Sequence, residues 1–101
     1  MASIIWGSIN LNGTIYSGAN FTSTHLERGL YLINFSQAFK TIPAVTVTQN
    51  YPGWDKFDDH GGNTRDNAVV VALNQNEVKI KTGDGNGDAD DRNFCFVAIG
   101  D

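Results

Sequence analysis

Short apolar-rich runs recur along this chain, some alternating with polar positions at a period of two, and helical spacing is hard to find anywhere in it. Leu30-Tyr31-Leu32-Ile33-Asn34-Phe35 is made of branched, aromatic and other strand-compatible residues and predicts a strand. In 44–49, which follows Pro43, Val45 and Val47 alternate with Thr46 and Thr48, setting an apolar face against a polar one. Glu77-Val78-Lys79-Ile80-Lys81-Thr82 alternates as cleanly, so one of its faces is expected in water. The segment 67–73 is an almost unbroken apolar run, the pattern of a central strand. The last strand is expected over 93–99. At the start, 4–11 leads into Asn12-Gly13 and then Thr14-Ile15-Tyr16. Asn-Gly between such runs predicts a hairpin, because a type I′ turn needs positive φ at both central positions. Residues 20–25 read as another extended piece between Ser17-Gly18 and Arg28-Gly29.

About seven or eight short strands with regular turn signals predict an all-β chain. The expected architecture is a single antiparallel β-sandwich, jelly-roll-like, spanning 1–101. Trp6, Phe21, Tyr31, Phe35, Phe94 and Phe96 are its expected core, since aromatics supply most apolar area in a small domain. Tyr16 and Tyr31 could instead face another subunit. Cys95, inside an apolar run, reads as a small buried hydrophobe.

Composition narrows the possibilities. A chain of 101 residues with 41% hydrophobic and 18% charged residues is one folded domain. Eleven acidic against seven basic side chains leave no basic footprint for nucleic acid or for an anionic membrane surface. One cysteine cannot form an intrachain disulfide. No apolar run is long enough to span a bilayer, so membrane insertion is not expected. The N-terminal residues lack the basic start and long apolar stretch of a secretory signal, so either the protein is not exported by that route or the sequence has been trimmed. Action outside the cell or on a virion or fibre surface is expected, with the cytoplasm as the alternative.

The order of short motifs is also informative. Trp6-Gly7-Ser8-Ile9-Asn10 is followed by Asn12-Gly13-Thr14-Ile15, Ser17-Gly18 and Phe21-Thr22. Gly29-Leu30-Tyr31, Ile33 and Phe35 come next, then Phe39, Pro43 and Val45, with Asp91, Phe94, Phe96 and Ala98-Ile99-Gly100 at the close. This order resembles a group of small bacterial and phage β-domains of tail-fibre-like proteins. The block from Phe39 to Val45 and the closing aromatic strand also resemble the H-type lectins. The resemblance implies a β-sandwich subunit that forms a homotrimer and binds sugars.

Two segments are too polar and too rich in Gly and Asp to be strands: 50–66 and 83–92. The first is longer than ordinary connections, and such loops tend to carry function. It brings Tyr51, Trp54, Asp55, Asp58, His60 and Arg65 close together in sequence. Flat rings suit the C–H face of a sugar, and carboxylate and guanidinium groups suit its hydroxyls. The alternative is that the rings fold inward and staple the loop. In the second segment, Asp84, Asn86 and Asp88 match the first three positions of a calcium loop. The match then fails at Ala89, where glycine is needed, and at Cys95, where a bidentate Glu belongs. A plain Gly/Asp turn explains the same residues. No cofactor is expected, and calcium at Asp84, Asn86 and Asp88 is the lesser alternative to a plain turn.

No nucleophile elbow, phosphate loop or metalloprotease motif is present, so the chain is not expected to be an enzyme. A His25/His60 pair with Asp58 or Asp59 has no supporting spacing. A polysaccharide hydrolase using carboxylates from the two acidic loops is a weaker alternative. The expected function is a non-catalytic carbohydrate-binding (lectin-like) or cell-surface receptor-binding module. It would act through multivalent loop sites, with a surface glycan and its own copies (homotrimer or higher) as partners. The competing expectation is a structural or oligomerisation module at a fibre tip.

Overall fold

A computed structural model describes residues 2–101. Period-two alternation yields eight strands among the described residues and no helix. They are β1 (Ser3–Ile9), β2 (Ile15–Gly18), β3 (Phe21–Glu27), β4 (Leu30–Phe35), β5 (Ala44–Asn50), β6 (Asn67–Leu73), β7 (Glu77–Gly83) and β8 (Asn93–Gly100). Sheet A has the order β2-β1-β8-β5 and sheet B the order β3-β4-β7-β6, every pairing antiparallel. The expected all-β sandwich is the observed fold.

Inward-facing residues of the two sheets make the core. Phe94, Phe96 and Ala98 from β8 meet Tyr31, Ile33 and Phe35 from β4 and Val78 and Ile80 from β7. An edge-to-face ring pair bridges the layers, Phe21 with Phe96 at 5.0 Å, and Phe35 meets Phe39 of the following connection in the same way at 5.1 Å. Five of the six expected core aromatics are buried.

Four readings of the sequence are corrected. Trp6 is 53% exposed. It pairs with Val97 on the outward face of β1, while its neighbours Ile5, Gly7 and Ile9 turn inward. Cys95 is only partly buried, because it shares that outward parity. β6 is an edge strand rather than a central one, and Val69 and Val71 face outward. The Asn12-Gly13 turn is not type I′. Gly13 alone takes positive φ (91°), and its N–H bonds to Asn10 O at 2.8 Å. Leu11 and Asn12 keep negative φ, so this is an ordinary turn closed by a left-handed glycine, with a register shift between Ser8 and Ile9.

Alternating strand directions sort the connections between two poles. The hairpin 10–14, the turn at Arg28-Gly29 and the loops 51–66 and 84–92 share one pole. Short turns, the segment 36–43 and both described chain ends, brought together by the Ser3–Gly100 pairing, occupy the other.

Phe96→Ala is expected to cost about 3–5 kcal/mol in a denaturant melt, whereas Val71→Thr on the exposed face should stay within about 0.5 kcal/mol. Equal losses would contradict the assigned facing of the strands.

Candidate functional site

The loop pole is held together by one arginine. Arg92, just before β8, sends Nε to Asp90 Oδ2 at 3.1 Å and Nη1 to Gln49 Oε1 at 3.0 Å. Its Nη1 also lies 3.2 Å from Asp66 Oδ2. Gln49 Nε2 then donates to the carbonyls of Asn67 and Gly83, both at 2.8 Å. Burial works against the Arg92 charge, but the Asp90 hydrogen bond and the Asp66 charge outweigh it and raise its pKa. Asp90 is held below the usual carboxylate range by its bond from Arg92, with Arg28 adding to the effect against a smaller burial cost. The ends of both long loops are thereby fixed to the ends of β5, β6, β7 and β8.

A second cluster lies beside it. His25 Nε2 is 2.8 Å from Asp91 Oδ1, which also accepts the Gly29 N–H at 2.7 Å. Burial pushes the Asp91 carboxyl up, yet the Gly29 and His25 contacts prevail and its pKa is lowered. The His25 ring stacks on Tyr31 at 4.9 Å, and Tyr31 Oη donates to Leu11 O at 2.6 Å. Burial, then the Asp91 charge, push the Tyr31 phenol up to about 12. His25 is thus paired with Asp91 and not with His60. No local signal marks this pairing, because the two residues lie 66 positions apart.

Above these clusters, the 51–66 loop is a chain of tight turns. Trp54 N–H bonds to Tyr51 O, Lys56 N–H to Gly53 O and Asp59 N–H to Lys56 O, at 2.9–3.0 Å. The Tyr51 ring lies so close over Gly61 that a side chain at 61 would overlap it. Tyr51 is 39% exposed and Trp54 40%, and Phe57 projects fully into solvent. Trp54 sits edge-on to Tyr16 of β2 at 5.2 Å. The rings therefore do not fold inward. Tyr51, Trp54, Phe57 and Asp59 line an open hollow of about 360 Å³.

Asp55, Asp58 and His60 are exposed on the same loop, without hydrogen-bonded or ionic side-chain partners among the described residues. Arg65 is separated from them. It lines a different cleft, of about 270 Å³, with Asn67, Lys81 and Asp84 around an apolar floor of Val69 and Ala89. Lys81 had read only as part of a solvated face. The pairing of Val69 with Lys81 across β6 and β7 is what brings it to Arg65.

In the 84–92 loop, Asp84 Oδ1 accepts the N–H groups of Asn86 and Asp88 at 2.9 and 3.0 Å. Gly87 N–H bonds to Asp84 O at 3.0 Å. The Asp84 side chain therefore organises this turn through the backbone N–H groups of Asn86 and Asp88. Among the described residues, no three His, Cys, Asp or Glu side chains converge as a metal site requires.

One solved structure shares this architecture. Over 97% of this chain, with a TM-score of 0.59, the fold matches part of the phiAB6 tailspike, crystallised in complex with three-repeated oligosaccharides of Acinetobacter baumannii surface polysaccharide. The likeness is one of fold. Sequence identity is 9%, and this chain spans 20% of that one. No protein-family model matches the sequence, and no curated protein matches it.

Two outcomes follow from the charge clusters. Arg92→Ala leaves Asp66 and Asp90 facing each other without their cation and should cost about 2–3 kcal/mol by denaturant titration. Asp90 and Asp91 have lowered folded pKa values, so their stabilising effect is complete above the ordinary carboxylate value. It is lost as pH falls through the lowered values. The melting temperature should therefore drop below about pH 4, and Asp91→Asn should be less stable at neutral pH with a shallower acid limb. An unchanged acid limb would remove Asp91 from this account.

Proposed function

We propose that the domain is a non-catalytic, carbohydrate-binding module of H-type-lectin-like design that recognises a surface glycan through its loop pole. The observation that carries this reading is the outward presentation of Tyr51 and Trp54 on a loop with unpartnered Asp55, Asp58 and His60. Exposed rings cost solvation unless a ligand covers them, and a sugar's C–H face suits them. The free carboxylates and the imidazole reach outward to hydroxyl groups. The Arg65–Lys81 cleft supplies two cations beside an apolar floor and would take an acidic group of the same chain of sugars. The fold shared with a tailspike solved with bound oligosaccharide supports the reading. Each site is shallow, so useful affinity would come from several copies acting together. A structural role at a fibre tip is compatible with it, because the outer face of sheet A offers an assembly surface beside the ring hollow, which it meets at Tyr16 and Trp54.

A glycan array containing neutral and acidic oligosaccharides tests this. Saturable binding is expected, weakened about tenfold or more by Trp54→Ala with an unchanged melting temperature, and unaffected by Lys79→Ala. Binding should persist in chelator, since the Asp84 oxygen is already engaged by two backbone donors. Chelator sensitivity would instead assign calcium to Asp84, Asn86 and Asp88. No binding by folded protein would leave the fibre-tip role.

A further inference from the structure

The two outer faces of the sandwich differ in a way that glycan binding does not require. Sheet B carries Glu27, Glu77, Lys79 and Lys81 on its strands. No residue on the four strands of sheet A is charged. Its outer face instead presents Ile4 (60% exposed), Trp6 (53%), Val97 (39%) and Ile99 (46%), with Tyr16 beside them. Register makes these residues contiguous. Ile4, Ile99 and Ala44 form one row, and Trp6, Val97 and Thr46 form the next.

We infer that sheet A packs through this outer face against the same face of another copy of this chain. Single exposed apolar side chains are ordinary, but a contiguous, charge-free face centred on tryptophan has the composition of an interface core. Charge selects the occupant. Each copy carries a formal charge of −4, which disfavours contact between copies. Sheet A is the face where two such molecules meet without opposing charges, and it offers a charged foreign partner nothing to recognise.

Area agrees. The five side chains expose on the order of 500 Å² of apolar surface. With Ala44, Thr46 and Thr48 at the rim, the patch approaches the ~800 Å² that each side of a standard interface buries. Like faces also satisfy a symmetric contact, in which each copy offers the other the same residues. The Arg65 cleft remains outside the contact and Trp54, set against Tyr16, borders it, so assembly would bring two loop poles together on one particle. That last consequence rests on the proposed function; the contact itself does not.

Light scattering on the whole chain after size exclusion, from about 1 to 100 µM, reads the mass directly. Two chains per particle are expected from this contact. Trp6→Lys and Val97→Lys should each reduce this to one chain with an unchanged circular dichroism spectrum, while Thr24→Lys on sheet B should not. One chain per particle across the whole range, or a multimer indifferent to both lysines, overturns the inference. Should the lysine variants fail to fold, Cys95 in the unaltered protein gives a second reading, because it lies on this face between Ser8 and Thr48. Its alkylation should slow severalfold as concentration rises, and a concentration-independent rate overturns the inference. Titration with dissolved oligosaccharide keeps the two ideas apart. A sheet-A multimer that binds no sugar keeps the interface and removes the glycan reading, and a sugar-binding single chain does the reverse.

Discussion

The guanidinium of Arg92 ties both long loops to sheet A and, through Gln49, to sheet B. Sandwich layers cohere through apolar contact, which has little directional preference and says nothing about where a polar loop should run. Direction comes from a fixed fork of donors aimed at Asp66, at the end of one loop, and at Asp90, in the other. Gln49 passes the constraint on to the backbone of β6 and β7. That junction anchors the end of the loop that carries Tyr51 and Trp54 and the strand ends beside the Arg65 cleft.

The strands were legible because local alternation is a local signal. Val45/Thr46/Val47/Thr48 and Val78/Lys79/Ile80/Lys81 state both the element and the face that turns inward. β1, β6 and β8 state only the element. Ile4-Ile5-Trp6, Val69-Val70-Val71 and Phe96-Val97-Ala98 are apolar on both faces, so nothing local decides which side is core. Trp6 and Cys95 therefore turn outward although the local pattern is equally compatible with the core. The two-faced pattern also imitates a strand buried on both sides, which is why β6 looked central.

The candidate site was legible in part. Aromatics and acids crowded into 51–66 marked the loop, and the loop does present its rings to solvent. Which residues share a hollow was not legible. Arg65 lies near Asp58 and His60 in sequence but lines the cleft with Lys81, a partner supplied by strand pairing. His25 and Asp91 meet from distant parts of the chain. Non-local register decides such encounters, and composition carries no trace of it.

Pairing of Ser3 with Gly100 sets the two described chain ends side by side at the pole opposite the loops, along a body 40 Å in its longest extent. A body tethered by either end, or spliced through both into a host protein, stands upright on its attachment. Its recognition surface then points away from whatever carries it, whichever end is used. For a sensor or display scaffold, immobilisation chemistry and ligand access are already separated by the topology, and no spacer has to be designed to keep them apart.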